Sequence, residues 1–365
     1  MPVEPDPRRV NGERRSAAAR EAARRAATRL DGAITDFFVP GDARLDDRIR
    51  LAISQSLNAI VRLIETDMRR HAARTLARQD RDAQAEALLG SRDDIVGRLD
   101  RAGLLRDRRL MDELIARARG DLIADALPPD PVQDAPGSLL VLLTEAPDGV
   151  VAGAAKALLI AESRRRSARQ DGVAVGNELP AELHHRLVWW IAASVREAAL
   201  AVGVHDAATD RAIVDAAERS LAAHDEGERV EALAMRLAIA LDARANELPA
   251  LLTGALADRR LTLFTALLGG AVDLDYEGAR GIVLEPEGDR LWLALRAADL
   301  DRATIARIGF ALAEADARRD VERFADDLDD IAAVPAATAR SALAPLTLHH
   351  DLRVAIDALA REDRR

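Results

Sequence analysis

The chain has 365 residues, a formal net charge of −10, no cysteine, 49% hydrophobic residues and only 2% aromatics. The acidic balance argues against whole-chain nucleic-acid binding, and the missing cysteines exclude disulfides, thiolate catalysis and cysteine-ligated metal. A core built from Ala, Leu, Ile and Val with so few aromatics suits close-packed helices rather than strands, so the expected class is all-α.

Residues 1–40 read as a basic N-terminal arm, partly disordered. From Arg8 to Arg29, eight arginines stand against Glu13 and Glu21, and no large apolar residue interrupts Arg14 to Arg29. The preferred reading is a solvated, fraying helix. A contact to nucleic acid, an anionic membrane surface or an acidic partner is the alternative. The first residues lack a signal-peptide layout, and no run approaches the ~20 apolar residues of a membrane span, so a cytoplasmic location is expected.

Residues 41–127 are expected to form an N-terminal helical domain. Leu45, Ile49, Ile53, Leu57, Ile60, Ile64 and Met68 recur every three or four residues, which predicts one helix over 45–78, about 50 Å long at 1.5 Å per residue. Such a helix serves either as the backbone of a bundle or as the seam of a homodimer, and the sequence leaves both open. Residues 128–178 read as a linker with a short helical segment. Pro128-Pro129-Asp130-Pro131 and Pro136-Gly137 punctuate it, and a helix over 138–163 leads into Arg164-Arg165-Arg166, read as a solvated helix end.

Residues 179–365 read as a C-terminal multi-helical domain. Helix starts are marked by Asp225, Asn246, Asp258, Asp275 and Asp301, and stops by Gly203, Gly254, Gly269-Gly270, Gly288 and Pro335. Short connections imply stacked antiparallel helix pairs, either a HEAT-like α-solenoid or a multi-helical bundle.

No stretch carries a complete catalytic or metal-binding motif. His184-His185 and His349-His350 are adjacent, about 100° apart on a helix, and poorly placed to share one ion; surface or capping roles fit them better. His224 stands before Asp225-Glu226-Gly227 at a helix start. Asp273-Leu274-Asp275-Tyr276-Glu277-Gly278 resembles a calcium loop, but its twelfth position is Leu284, so Asp275 reads as a cap. Gly149 to Lys156 has the wrong spacing for a phosphate loop. Asp326, Asp327, Asp329 and Asp330 read as a solvated face. No catalytic, cofactor-binding or metal-binding residue is therefore assigned, and no cofactor is expected.

Trp189-Trp190 is the strongest lead for binding. Leu183, Leu187, Trp190, Ile191, Ala198 and Val202 make one apolar stripe, which places Trp189 on the far side with Arg186 and Arg196. Those three residues are the candidate partner-binding set, with Trp189 expected to be less buried than Trp190. The alternative is a helix buried on two faces.

Five stretches carry a family resemblance: Leu45 to Leu76, His224 to Arg229, Asp275 to Arg280, Leu291 to Arg296, and Arg319 to Glu322. They resemble a family of helical bacterial proteins, alphaproteobacterial in type, known only as a domain of unknown function. The resemblance spans residues 41–360, implies an all-helical, HEAT-like arrangement, and brings no activity or functional residue with it. The leading expectation is thus a non-enzymatic, protein-binding or regulatory scaffold. The competing one is a small-molecule sensor or enzyme with an arginine/carboxylate pocket drawing on residues such as Glu65, Arg280, Arg296 or Asp320. A third is nucleic-acid contact through the arm.

Overall fold

In a computed structural model of the chain, the described residues are 45–90, 94–128, 138–203 and 206–348, with the isolated residues 352, 355, 356 and 359. The expectations for the arm at 1–40, for Pro129 to Gly137 and for His349-His350 lie outside them. The chain divides after Arg50 into two compact units. Residues 45–50 are what is described of the first, and the packing and site below concern the second, Leu51–Arg365. Among the described residues there are sixteen α-helices, three short 3-10 helices and no strand, so the chain is all-α.

Helix α1, Asp47–Ala77, agrees with the long helix expected over 45–78 to within two residues at each end. From Ile53 onward its stripe of Leu57, Ile60, Ile64, Met68 and Leu76 is buried within one copy of the chain. Arg69, also buried, donates to Glu65 at 2.7 Å and to the Leu88 carbonyl on α2 (Asp82–Gly90) at 2.9 Å.

Aspartates start many of the helices that follow. Asp94, Asp107, Asp148, Asp206, Asp275, Asp301 and Asp320 each accept backbone N–H bonds. The helices they cap are α3 (Ile95–Arg101), α4 (Arg108–Ala126), α6 (Gly149–Gln170), α8 (Ala207–Ala223), α12 (Tyr276–Val283), α14 (Arg302–Ala315) and α15 (Val321–Ala333). Each such cap stabilises its helix by about 1 kcal/mol. These carboxylates are therefore committed to backbone, and no group of three or more metal-capable side chains occurs among the described residues. Asp326, Asp327, Asp329 and Asp330 are exposed on α15, as expected.

Several expected boundaries differ: Gly254, read as a stop, lies inside the helix Leu248–Ala257, and Glu247 rather than Asn246 is that helix's N-cap. Asp258 is the C-cap of α10 (Leu248–Ala257) and does not cap α11 (Leu261–Ala271). Its carboxylate instead accepts from the Ser138 hydroxyl at 2.7 Å and the Leu140 N–H at 3.4 Å, at the start of α5 (Leu139–Leu143). The helix expected over 138–163 is two, α5 and α6, separated by residues 144–148, and α6 runs on to Gln170 because Ser167, Ala168 and Arg169 continue it without a Gly or Pro. Arg164-Arg165-Arg166 thus lies inside a helix, and Arg165 turns inward.

The main core collects Ile123, Leu158, Leu237, Leu252, Phe264, Leu291, Ile308 and Leu343 with their neighbours. Helix α9 (Val230–Leu241) packs on α6 and α11, α10 packs on α11 and α14, and α13 (Asp289–Ala297) packs on α16 (Ala336–Leu343). Helix α4 touches both α11 and α14. Aromatics serve one dense spot, where Phe324 meets Trp292 at 4.4 Å and Phe310 at 5.4 Å between ring centroids.

That spot depends on Gly309 of α14. A Cβ built there would lie 2.1 Å from the Phe324 ring. Gly309→Ala is expected to lower stability by about 1–3 kcal/mol through overpacking. Gly270→Ala, at a helical position with open space around it, should be neutral or gain up to about 1 kcal/mol. Urea unfolding of the two variants checks the contrast, and equal midpoints would count against it.

Candidate functional site

A stripe of polar residues four apart on α4, Glu113, Arg117, Asp121 and Asp125, lies along one side of that helix. Its inner half is nearly closed to solvent: Glu113 is 3% and Arg117 7% exposed. Three guanidiniums converge on Glu113, from Arg117 at 3.3 Å, Arg229 at 3.2 Å and Arg280 at 2.8 Å. Glu231, the second residue of α9, is ringed by Arg165 at 3.2 Å, Arg229 at 3.5 Å and Arg117 at 3.6 Å. Arg117 also donates to the Glu178 carboxylate at 3.2 Å and to the Glu178 carbonyl. Arg165 reaches Asp121 at 2.9 Å.

Burial alone would raise the pKa of Glu231, but Arg117, Arg165 and Arg229 outweigh it and bring the value down to about 2. Glu113 is likewise lowered, with Arg117 and Arg280 overcoming its burial. Arg165 is held charged against its own burial by Asp121 and Glu231. Buried ions are tolerated here because each has several opposite partners at hydrogen-bond range. The carboxylates stay ionised, which suits them to orient arginines rather than to take up protons.

A cavity of about 110 Å³ opens beside this network, between α4, α6, α9, α11 and α12. Seven arginines and four carboxylates line it, together with Thr262, Thr265 and Tyr276. Tyr276 is half-buried beside Thr262, and its phenol pKa is raised, chiefly by desolvation. Arg260 is buried on α11's approach, paired with Glu162, and its Nε has no hydrogen-bond partner. A larger opening of about 450 Å³ shares Arg117, Arg165, Val230 and Glu231 with it.

Of the pocket residues named from sequence, Arg280 alone belongs to this cluster. Glu65 pairs with Arg69, Arg296 donates to the Val334 and Leu300 carbonyls, and Asp320 caps α15. Glu113, Arg117, Arg165, Glu178 and Glu231 were not anticipated. The four-residue spacing on α4 was the available signal.

The tryptophan set lies on α7 (Ala181–Ala201), where Trp189 and Trp190 are both half-buried. Buried residues include Leu183, Leu187, Ile191 and Ala198 of the expected stripe, and also His184, Val188, Ser194 and Val195, so the covered face is wider than one stripe. Val202 is exposed. Arg186 pairs with Asp107 at 2.9 Å, Arg196 with Asp210 at 2.9 Å, and the Trp189 indole donates to His185 at 3.2 Å.

The surface role expected for the His184-His185 pair holds for His185 only. His184 is 5% exposed and stacks on His224, with ring centroids 4.1 Å apart and planes 10° from parallel. His184 Nε2 is buried without a hydrogen-bond partner, and the buried His224 ring nitrogens face the Gly176 and Leu179 backbone. Burial is the main reason the His184 pKa falls from 6.5 to about 4, with His224 adding to it and a hydrogen bond to the Ser220 backbone opposing it. Burial also lowers the His224 pKa, with the Gly176 and Leu179 backbone and Glu226 opposing it and Arg229 adding to it.

Two expectations follow. A histidine whose folded pKa is depressed stabilises the fold above its unfolded pKa, and that stability is lost as pH falls from 6.5 toward 4. Wild-type chain should lose about 3 kcal/mol more than His184→Gln between pH 7 and pH 4. Urea unfolding across that range measures it, and parallel curves would refute it. Separately, Arg117→Met should cost about 3–5 kcal/mol by leaving buried carboxylates undercompensated. The exposed Arg70→Met should change little.

Compared with known proteins, residues 142–344 match the family described as uncharacterised proteins conserved in bacteria (DUF2336). No curated protein and no solved structure matches the chain. The matched segment holds Arg165, Glu178, Arg229, Glu231, Tyr276 and Arg280, whereas Glu113 and Arg117 precede it. With more than half of its length matched, the chain belongs to the DUF2336 family of bacterial proteins.

Proposed function

We propose that this chain is a non-enzymatic regulatory module that senses a small anionic molecule in the cavity between α4, α6, α9, α11 and α12. The observation that carries the reading is the seven-to-four excess of arginines over carboxylates around that cavity, in a chain whose overall charge is −10. A local positive field within an acidic protein selects anions and repels cations from that opening. Clefts between helices are common sites of small ligands, and this one is distinguished by a lining of mainly charged side chains. The five helices around the cavity come from residues 108–283, so an occupant would tie together segments far apart in sequence.

The reading has a direct consequence for stability. A ligand at a hundred times its Kd would stabilise the folded chain by about 2.7 kcal/mol. Thermal unfolding in a panel of millimolar phosphate, carboxylate and sulfonate compounds should show at least one class raising the melting temperature. Hydrogen exchange should slow at α6 and α11 with the same compound. No shift with any class would remove the reading.

A protein partner on α7 is the second reading, favoured by the half-buried Trp189. Crosslinking and affinity capture with wild-type chain and Trp189→Ala separates the two. A partner lost in the variant supports it, and an unchanged set of partners removes it.

A further inference from the structure

We infer that the cavity beside Arg165 and Arg260 recognises a phosphoryl group, the dianionic end of a small phosphate monoester. The inference rests on the anion-sensing reading above and adds the ligand's chemical class. Two arginines on its rim carry the charge argument. Arg166 on α6 and Arg259 in the α10–α11 turn are exposed, line the cavity, and have no ion-pair partner among the described residues. The other five lining arginines each have a carboxylate. Two unmatched positive charges suit a dianion, and a monocarboxylate would neutralise only one of them.

Size permits this. A cavity of about 110 Å³ is well above the ~10–15 Å³ that a single water requires. A phosphoryl group fits, with the rest of the molecule outside. The rim guanidiniums each carry several N–H donors, and phosphate oxygens accept several such bonds at once.

Backbone conformation supplies an independent sign. Arg259 has φ +58°, and the other non-glycine residues with positive φ among the described residues are Asp80, Asp242, Asp273 and Asp299. Aspartate tolerates the left-handed region far better than a long side chain does. The turn itself is a helix C-terminus in which the Arg260 N–H reaches back to the Ala255 carbonyl at 2.8 Å, a geometry that favours glycine at position 259. An arginine kept there at a conformational cost places its guanidinium on the cavity rim.

Isothermal titration of the full chain with inorganic phosphate, phenyl phosphate, malonate and benzoate at pH 7.5 tests the inference. Phosphate and phenyl phosphate should bind, and phenyl phosphate should weaken as the pH drops below about 6, where a monoester becomes a monoanion. Arg259→Gly and Arg166→Ala should each weaken phenyl phosphate about tenfold, the loss of one charge-assisted contact. Arg259→Gly should at the same time raise the melting temperature of the ligand-free chain. Malonate or benzoate binding as tightly as phosphate would overturn the phosphoryl class and leave the anion-sensing reading standing. Phosphate binding untouched by both substitutions would overturn the placement. Binding by none of the four overturns this inference, and the broader reading falls only if the wider anion panel fails too.

Discussion

Glu113 is the constraint on which the centre of the molecule depends. It lies on α4, is almost sealed from solvent, and receives guanidiniums from its own helix, from the N-cap of α9 and from α12. A carboxylate so placed is costly alone and stabilising only while its partners stay put. The arginines are equally dependent, since Arg117 and Arg229 would be buried cations without Glu113 and Glu231. The result is a charge-balanced knot that fixes how several helices meet. Leucine and alanine, which supply most of the contact surface, define such a geometry less sharply because their packing is non-directional.

Balance within the knot is what leaves its rim available. Arg117, Arg165 and Arg280 are already matched, so they confer shape and field rather than free charge. The unmatched groups, Arg166 and Arg259, stand at the edge, where solvent and a solute can reach them. Arginine thus occurs at two depths. The inner ones hold the walls, and the outer ones reach solvent.

Much of the architecture was legible in the residues. The apolar recurrence from Ile53 to Met68 located α1, and Asp275, Asp301 and their like were caps as their spacing implied. The centre was less legible. Glu113, Arg117 and Asp121 look like an ordinary solvated helix face, because i to i+4 charge spacing is shared by surface pairs and buried networks alike. What buries them is the arrival of α9 and α12, which no local pattern on α4 announces. All five strings that carried the family resemblance, with no evident chemistry, contain such arginines. Arg69, Arg229, Arg280, Arg296 and Arg319 each bond to a carboxylate or a backbone carbonyl inside the fold. Their distinctiveness is structural.

Asp258 has a kinetic meaning as well as a geometric one. By capping α5 through Ser138 and Leu140, it closes a loop of roughly 120 residues with one carboxylate. Contacts of such sequence separation form only after the chain between them has lost much of its freedom. Helix α5 has five residues, too few to persist alone in water, so its start is secured by a turn made far downstream. Helix α5 is therefore expected to gain its stability only once the α10–α11 turn is in place.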